Sequence, residues 1–302
     1  SPDHYERGWH ATSTFGTFGA TAAAASLLGL DAEACRRALS MAASMPAGTK
    51  RNFGSMTKPL HAGLAARSGV TAALLAAEGF TTGTETIGGE RGFWSLYGDG
   101  ADAGPSLPRT DGWDIRTAGV HTKRYPCCYF THSAIVAAGS IRDDAGLAPD
   151  DVSAVRVRAA GGAGDALTYP APETSLEAKF SMQHAVAVAL ARETVGLDAF
   201  DPDAIHDPTV ADLRDRIDFA VDESLAYDSH AASVVVEADD RTYERAVDRP
   251  DWVHEDPPSA EELREKFLAC AERRLDADQA RETFATLSGL PDTSPSELLA
   301  RF

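Results

Sequence analysis

Residues 12–28 read Thr-Ser-Thr-Phe-Gly-Thr-Phe-Gly-Ala-Thr-Ala-Ala-Ala-Ala-Ser-Leu-Leu, and Gly29 follows. A proline-free run of this length closed by glycine predicts a helix. Its side chains are small on nearly every face, so neighbouring helices can approach closely, as in a packed multi-helix core rather than on a surface. Two further helices are expected nearby. Asp31 is placed to cap one that ends at Met45–Pro46. Another runs from Pro59 to Ala77, with Leu60, Leu64, Leu74 and Leu75 near one stripe and Gly79 closing it. Residues 81–114, rich in Gly, Pro, Thr and Asp, read as a long loop region.

The pattern changes beyond Thr117. In Val152–Ala160, Val155 and Val157 alternate with Arg156 and Arg158, the signature of a half-buried strand. Ala231–Ala238, a turn at Asp239–Asp240 and Thr242–Val247 predict a hairpin. Helices are expected over Thr131–Arg142, Leu176–Arg192 and Val210–Ile217. After Pro257–Pro258 the chain turns helical again. Ser259 with Glu262, Asp276 with Gln279 and Ser294 with Glu297 fit capping boxes, the last with Pro295 at the first helical position. The fold class that follows is mostly α with an α+β lid. An all-helical domain (residues 1–116) is interrupted by a smaller α+β domain (117–252) and resumes over 253–302.

Of 302 residues, 43% are hydrophobic and 25% charged, a balance that permits a packed core. The 46 acidic against 28 basic side chains give a formal net charge of −18, which speaks against general nucleic-acid binding. Lysine is scarce among the basic residues and aspartate dominates the acidic ones, a composition suited to a halophilic cytoplasm. Four cysteines, Cys35, Cys127, Cys128 and Cys270, form neither a zinc spacing nor a disulfide framework, so a reduced cytoplasmic protein is expected. The longest apolar run, around Ala20–Leu30, is too short to span a bilayer, and no membrane partner is expected. The chain carries no signal peptide and starts at Ser1 rather than Met, which reads as a processed or trimmed product.

The acidic residues are unevenly placed. Between Arg7 and Ala77 there are two, Asp31 and Glu33, against about eleven for even spacing. Arg7, Arg36, Arg37, Lys50, Arg51, Lys58 and Arg67 remain there. A second acid-free stretch, from Ile115 to Arg142, keeps Arg116, Lys123, Arg124 and Arg142. Burial alone accounts for missing carboxylates, but basic side chains left inside such segments need anions. A multi-carboxylate metabolite is the sharper reading. The candidate chemistry lies in three segments: Gly8–Gly16 with His10 and Thr12, Met56–His61 with Thr57, Lys58 and His61, and His121–Cys128 with Lys123 and Arg124, Thr131 and His132 following. The first two place basic or hydroxyl groups near a helix start, and at the first the free N–H groups favour an anion.

Taken together, these segments resemble the MmgE/PrpD family. The resemblance rests on Thr-Phe-Gly-Thr-Phe-Gly after His10, Asn52-Phe-Gly-Ser-Met-Thr-Lys-Pro-Leu-His-Ala-Gly63, Arg91-Gly-Phe93, Lys123-Arg-Tyr-Pro126, and Phe180-Ser-Met-Gln183 before an Ala/Val helix. It implies a helical domain interrupted by an α+β lid, a homodimer, an active site between the two parts, and no metal or organic cofactor. Carried over by position, the resemblance implies His10, Lys58, Lys123 and His184 as catalytic residues. Thr12, Thr57, His61, Arg124 and Gln183 are implied to bind substrate. The implied substrate is a small di- or tricarboxylate.

Three departures qualify this. His184 stands where relatives commonly carry Tyr, and an imidazole titrates several units below a phenol. Cys128 stands where the decarboxylase branch carries histidine, which argues against a close decarboxylase assignment. An N-terminal helical portion of the family has no counterpart before Ser1. The expected activity is a cofactor-independent lyase, most nearly a 2-methylcitrate dehydratase-like hydro-lyase. Cis-aconitate decarboxylase-like chemistry, epimerisation of a related polycarboxylate, and a non-catalytic truncated subunit are the alternatives.

Overall fold

The computed structural model describes residues 2–98, 112, 114–117 and 119–289. The longer elements are labelled in chain order. Three N-terminal helices, α1 (Ala11–Leu27), α2 (Ala32–Ala42) and α3 (Thr57–Ala77), pack on one another, α1 and α3 most extensively. Asp31 caps α2 by accepting from the Ala34 N–H. Gly29 and Gly79 follow α1 and α3 with positive φ.

The small residues set the packing. On α3 the buried positions are His61, Ala65, Gly69, Ala72, Ala73 and Ala76. A Cβ on Gly69 would lie 2.5 Å from Ala20 Cβ and 2.6 Å from the Thr21 nitrogen, so α1 and α3 touch backbone to backbone there. Thr17 and Thr21 are buried in the same seam, and their hydroxyls donate to carbonyls of the preceding turn. The leucine stripe turns inward only in part, with Leu75 packed against Met41, Ala42 and Ala72. Leu60 and Leu74 are about half exposed (52% and 50%), because only alanine and glycine fit where the helices approach so closely. Thr57–Ala77 is long and apolar enough to cross a membrane by length and composition alone. It carries Lys58, His61 and Arg67 and packs on α1 and α2.

The helix α4 (His132–Ala145) precedes β1 (Val152–Ala159); α5 (Met182–Ala191) and α6 (Pro208–Asp215) precede β2 (Ile217–Val221). The hairpin β3 (Ala232–Ala238) and β4 (Arg241–Val247) completes a four-stranded sheet in the order β2-β1-β3-β4. β1 pairs parallel with β2 and antiparallel with β3. Asp239 and Asp240 both take positive φ, as the tight two-residue turn requires. Val155 and Val157 point into the core beside Val234 and Val236, with α4 and α5 over that face. α5 is buried at eight of its ten positions, which makes it the central helix of this half.

Two helices, α7 (Ala260–Ala271) and α8 (Ala277–Ser288), follow the sheet, with the expected capping boxes at Ser259/Glu262 and Asp276/Gln279. The Ser294/Glu297 box lies outside the described residues. Three other expectations are corrected. The 81–114 region contains a short helix, Phe93–Tyr97, whose Phe93 ring packs 4.8 Å from Phe18. The helix expected over Leu176–Arg192 is interrupted at Phe180–Ser181, where Ser181 caps α5. Ile217 begins strand β2 instead of ending a helix, because its backbone pairs with β1.

Candidate active site

His10 sits at the mouth of α1 in an extended conformation. Its strand is tied to residues 48–50: the His10 N–H donates to the Gly48 carbonyl (3.1 Å) and the Lys50 N–H to the Gly8 carbonyl (2.8 Å). Lys58 and His61 lie in the first turn of α3, three residues apart and thus on one face. The outcome is a direct contact between imidazoles, with His10 Nδ1 2.9 Å from His61 Nδ1. Both rings are buried. The His10 ring also stands edge-on to Phe53 (5.0 Å). The Lys58 ammonium lies 4.7 Å from the Phe53 ring centre and 5.3 Å from that of Phe180.

The second half contributes the loop before α4. Lys123 donates to the Cys127 carbonyl (3.1 Å), and the Cys128 N–H donates to the Lys179 carbonyl next to Phe180 (2.9 Å). The charges of the two halves feel one another. Burial holds the Lys58 amine below its ordinary pKa, the Lys123 ammonium lowers it further, and Cys128 opposes. His10 is pushed down to about 4 by burial first, then by Lys58 and His61. Burial and then Lys58 lower His61 in turn. Among the described residues, neither Lys58 nor Lys123 has a carboxylate within ion-pair distance. A pair of ammoniums kept without a protein anion beside a neutral imidazole pair can hold carboxylates and move a proton next to them. Among the described residues no group of three or more His, Cys, Asp or Glu is arranged to hold a metal ion.

Other basic side chains of the acid-free stretches find distant or local partners. Lys50 pairs with Asp165 (3.0 Å), which also accepts from Tyr227 (2.5 Å), and the Lys50 ammonium lies 3.9 Å from the Tyr5 ring centre. Arg36 and Arg37 both meet Glu33. Lys50, Arg36 and Arg37 thus have protein anions of their own, whereas Arg7, Arg51, Arg67 and Arg116 are exposed.

The remaining candidates do not gather there. His184 is fully buried in the core: its Nε2 bonds to the Ala199 carbonyl (2.8 Å) and its ring packs on Phe200. Burial pushes it down to about 4, so its placement is that of a neutral core imidazole, not the proton-transfer group expected. Arg124 is engaged by Asp251 and lies over the Tyr125 and Trp252 rings. It lines a separate cavity of about 350 Å3 with Arg142 and Arg192. Thr12 is exposed on α1, and Thr57 is half-buried at the start of α3. Gln183 is half-buried, with its Oε1 sealed and unpartnered.

Residues outside the expected set join the site instead. Phe53 and Phe180 form its apolar wall. Tyr169 donates to the Phe53 carbonyl (2.7 Å) and borders a cavity of about 550 Å3 that also reaches Arg7, Lys50 and Arg51. His132 lies beneath the Lys123 loop between Tyr125 and Tyr129, pushed down to about 3 by burial and then Lys123. Phe53 and Phe180 were visible within the quoted motifs. His132 follows directly on the third candidate segment, whereas Tyr169 carries no spacing that would have singled it out.

Residues 1–106 match the MmgE/PrpD N-terminal domain and residues 125–288 the MmgE/PrpD C-terminal domain. The chain belongs to the MmgE/PrpD family. It is 28% identical over 301 residues to cis-aconitate decarboxylase of Homo sapiens, an alignment covering 96% of this chain and 62% of that protein. The enzyme of the same name from Mus musculus is 27% identical, with 97% and 62% covered. That from Aspergillus terreus is 24% identical, with 97% and 64% covered. The chain thus spans a little over three fifths of the length of these MmgE/PrpD relatives.

Proposed function

We propose that this chain binds a small di- or tricarboxylate between Lys58 and Lys123 and carries out lyase chemistry at a carbon next to one carboxylate. What supports it is that neither Lys58, set against the Phe53 and Phe180 rings, nor Lys123, on the loop tied to Lys179 beside Phe180, has a carboxylate within ion-pair distance among the described residues. Dehydration of a β-hydroxy polycarboxylate, as in a 2-methylcitrate dehydratase, is the first reading. A base removes the α proton and an acid protonates the departing hydroxyl. His10 is the proton-transfer group. The ammoniums hold carboxylates and stabilise the enolate-like charge as it develops.

Decarboxylation is the second reading, favoured by the names of the relatives. The thiol of Cys128 weighs against it: burial raises its pKa, so it is a poor substitute for an imidazole at that position.

Calorimetry with citrate- and aconitate-type acids tests the substrate class. Lys58→Met and Lys123→Met should each weaken binding about ten- to a hundred-fold. Unchanged affinity in both variants would remove the reading. Proton NMR of the reaction then separates loss of water from loss of CO2. Binding without either reaction would favour the non-catalytic subunit.

A further inference from the structure

The His10–His61 contact carries more than a place in a list of ligands. Both rings are buried, and a 2.9 Å separation between two nitrogens is a hydrogen bond, which needs one proton and one lone pair. Two bare nitrogens at that distance would repel, and so would two N–H groups. We propose that His61 is not a substrate ligand but the proton partner of His10. The two imidazoles share a single N–H between their Nδ1 atoms, so they hold opposite tautomers. The inference rests on His10 being the proton-transfer group.

The consequence follows from counting protons. Two neutral imidazoles carry two N–H groups over four nitrogens, and one of them occupies the Nδ1–Nδ1 bridge. When the bridging proton belongs to His10, His10 Nε2 is bare and His61 Nε2 carries the other proton. When it belongs to His61, His10 Nε2 carries a proton and His61 Nε2 is bare. Moving the bridging proton alone would set an imidazolium against an imidazolate, so it moves only as a further proton arrives at His10 Nε2, and the pair then holds that extra proton as a single positive charge shared across the bond. In a dehydration, His10 Nε2 takes the α proton while His10 Nδ1–H passes its proton to His61. His61 returns it as His10 Nε2–H protonates the leaving hydroxyl. Proton and hydroxide leave as water, and the pair ends as it began.

The surroundings fit this use. The Nδ1 contact with His61 is the one side-chain hydrogen bond of the His10 ring among the described residues, which leaves Nε2 without a protein partner there. His61 is pressed from behind by Gly48: a Cβ there would lie 3.2 Å from His61 Cε1 and 2.8 Å from Ser13 Cβ, and φ is +111°. That glycine lets the ring seat deeply enough to meet His10. Among the described residues, the charged and titratable groups acting on the pair are Lys58 and the rings themselves, and burial with Lys58 keeps the resting pair neutral.

The decisive measurement is long-range proton–nitrogen correlation on the 15N-histidine-labelled chain at neutral pH, without substrate. One Nδ1–H and one Nε2–H tautomer should appear at these two residues, with a nitrogen–nitrogen coupling between them. The signals are assigned with His10→Gln and His61→Gln. Two Nε2–H tautomers without coupling would overturn the proposal, whatever reaction the chain performs. Kinetics give a second readout. His61→Phe should lower kcat about ten- to a hundred-fold with KM nearly unchanged, and His61→Asn should recover part of it. A raised KM with unchanged kcat would return His61 to substrate binding. A wild-type chain inert toward every polycarboxylate would count against the function proposed above while leaving the NMR result to decide this one.

Discussion

At the residue scale, the same side-chain type takes opposite parts according to its packing. His10 and His184 both lie in matched motifs, and both are held near a pKa of 4. His10 keeps a nitrogen open, whereas His184 ends on a backbone carbonyl beneath Phe200. Motif position alone could not separate them, because the register of α5 against the core decides which side of the helix looks inward. Lys58 and Lys123 stand in acid-free sequence, but so do nine other basic side chains, and the motif resemblance is what singles out these two. His184→Phe is accordingly expected to leave polycarboxylate turnover intact and to cost about 1 kcal/mol or more of stability, from the Ala199 carbonyl left unpaired. Urea unfolding beside a turnover assay checks it. A hundred-fold loss of kcat at unchanged stability would place His184 back among the catalytic groups.

At the element scale, periodicity gave most of the helices and the hairpin but not the face that α3 buries. A leucine stripe normally points inward, yet in α3 the seam is Gly69, Ala72, Ala73 and Ala76. The preference for close backbone approach outweighs the larger burial that leucine would bring. Strand β2 was missed because Ile217, Phe219 and Val221 alternate over only five residues, directly after a helical run that absorbs Ile217, and the strand geometry comes from pairing with β1. The α1–α3 seam makes a sharp prediction. Gly69→Ala inserts a methyl 2.5 Å from Ala20 Cβ, so the helices must part, and a loss of about 1–3 kcal/mol is expected. Gly63→Ala, on the same helix with nothing within 4 Å, should instead add a few tenths to about 1 kcal/mol through helix propensity. Chemical denaturation of the two variants side by side tests the seam; equal effects would argue against it.

At the scale of the whole molecule, two electrostatic terms act in different pH and salt ranges. Burial depresses His4, His10, His61, His132, His184 and His230 below the ordinary 6.5. The unfolded chain therefore binds more protons than the folded one between about pH 6.5 and 4. Their contribution is complete above 6.5 and is lost as pH falls, by up to about 1.4 kcal/mol per unit for each fully buried ring. Calorimetric melting temperatures should drop from pH 7.5 to pH 5, and a flat profile would contradict the buried neutral histidines. Above pH 7 the excess of acidic groups governs instead. A formal charge of −18 repels itself in dilute buffer, and molar salt shortens the Debye length to about 3 Å. Screening also weakens the surface ion pairs, such as Arg156–Glu237 and Arg273–Asp201, but exposed pairs contribute little each. The repulsion is the larger quantity, so the melting temperature at pH 7.5 should rise between 0.05 M and 1 M NaCl (concentrations of about these values separate full from minimal repulsion). Chloride is the right salt for this test, because sulfate would strengthen apolar burial in any protein. An unchanged melting temperature in chloride would mean that the acidic surface is already neutralised by its arginine pairs, and the argument for a salt-adapted composition would fall.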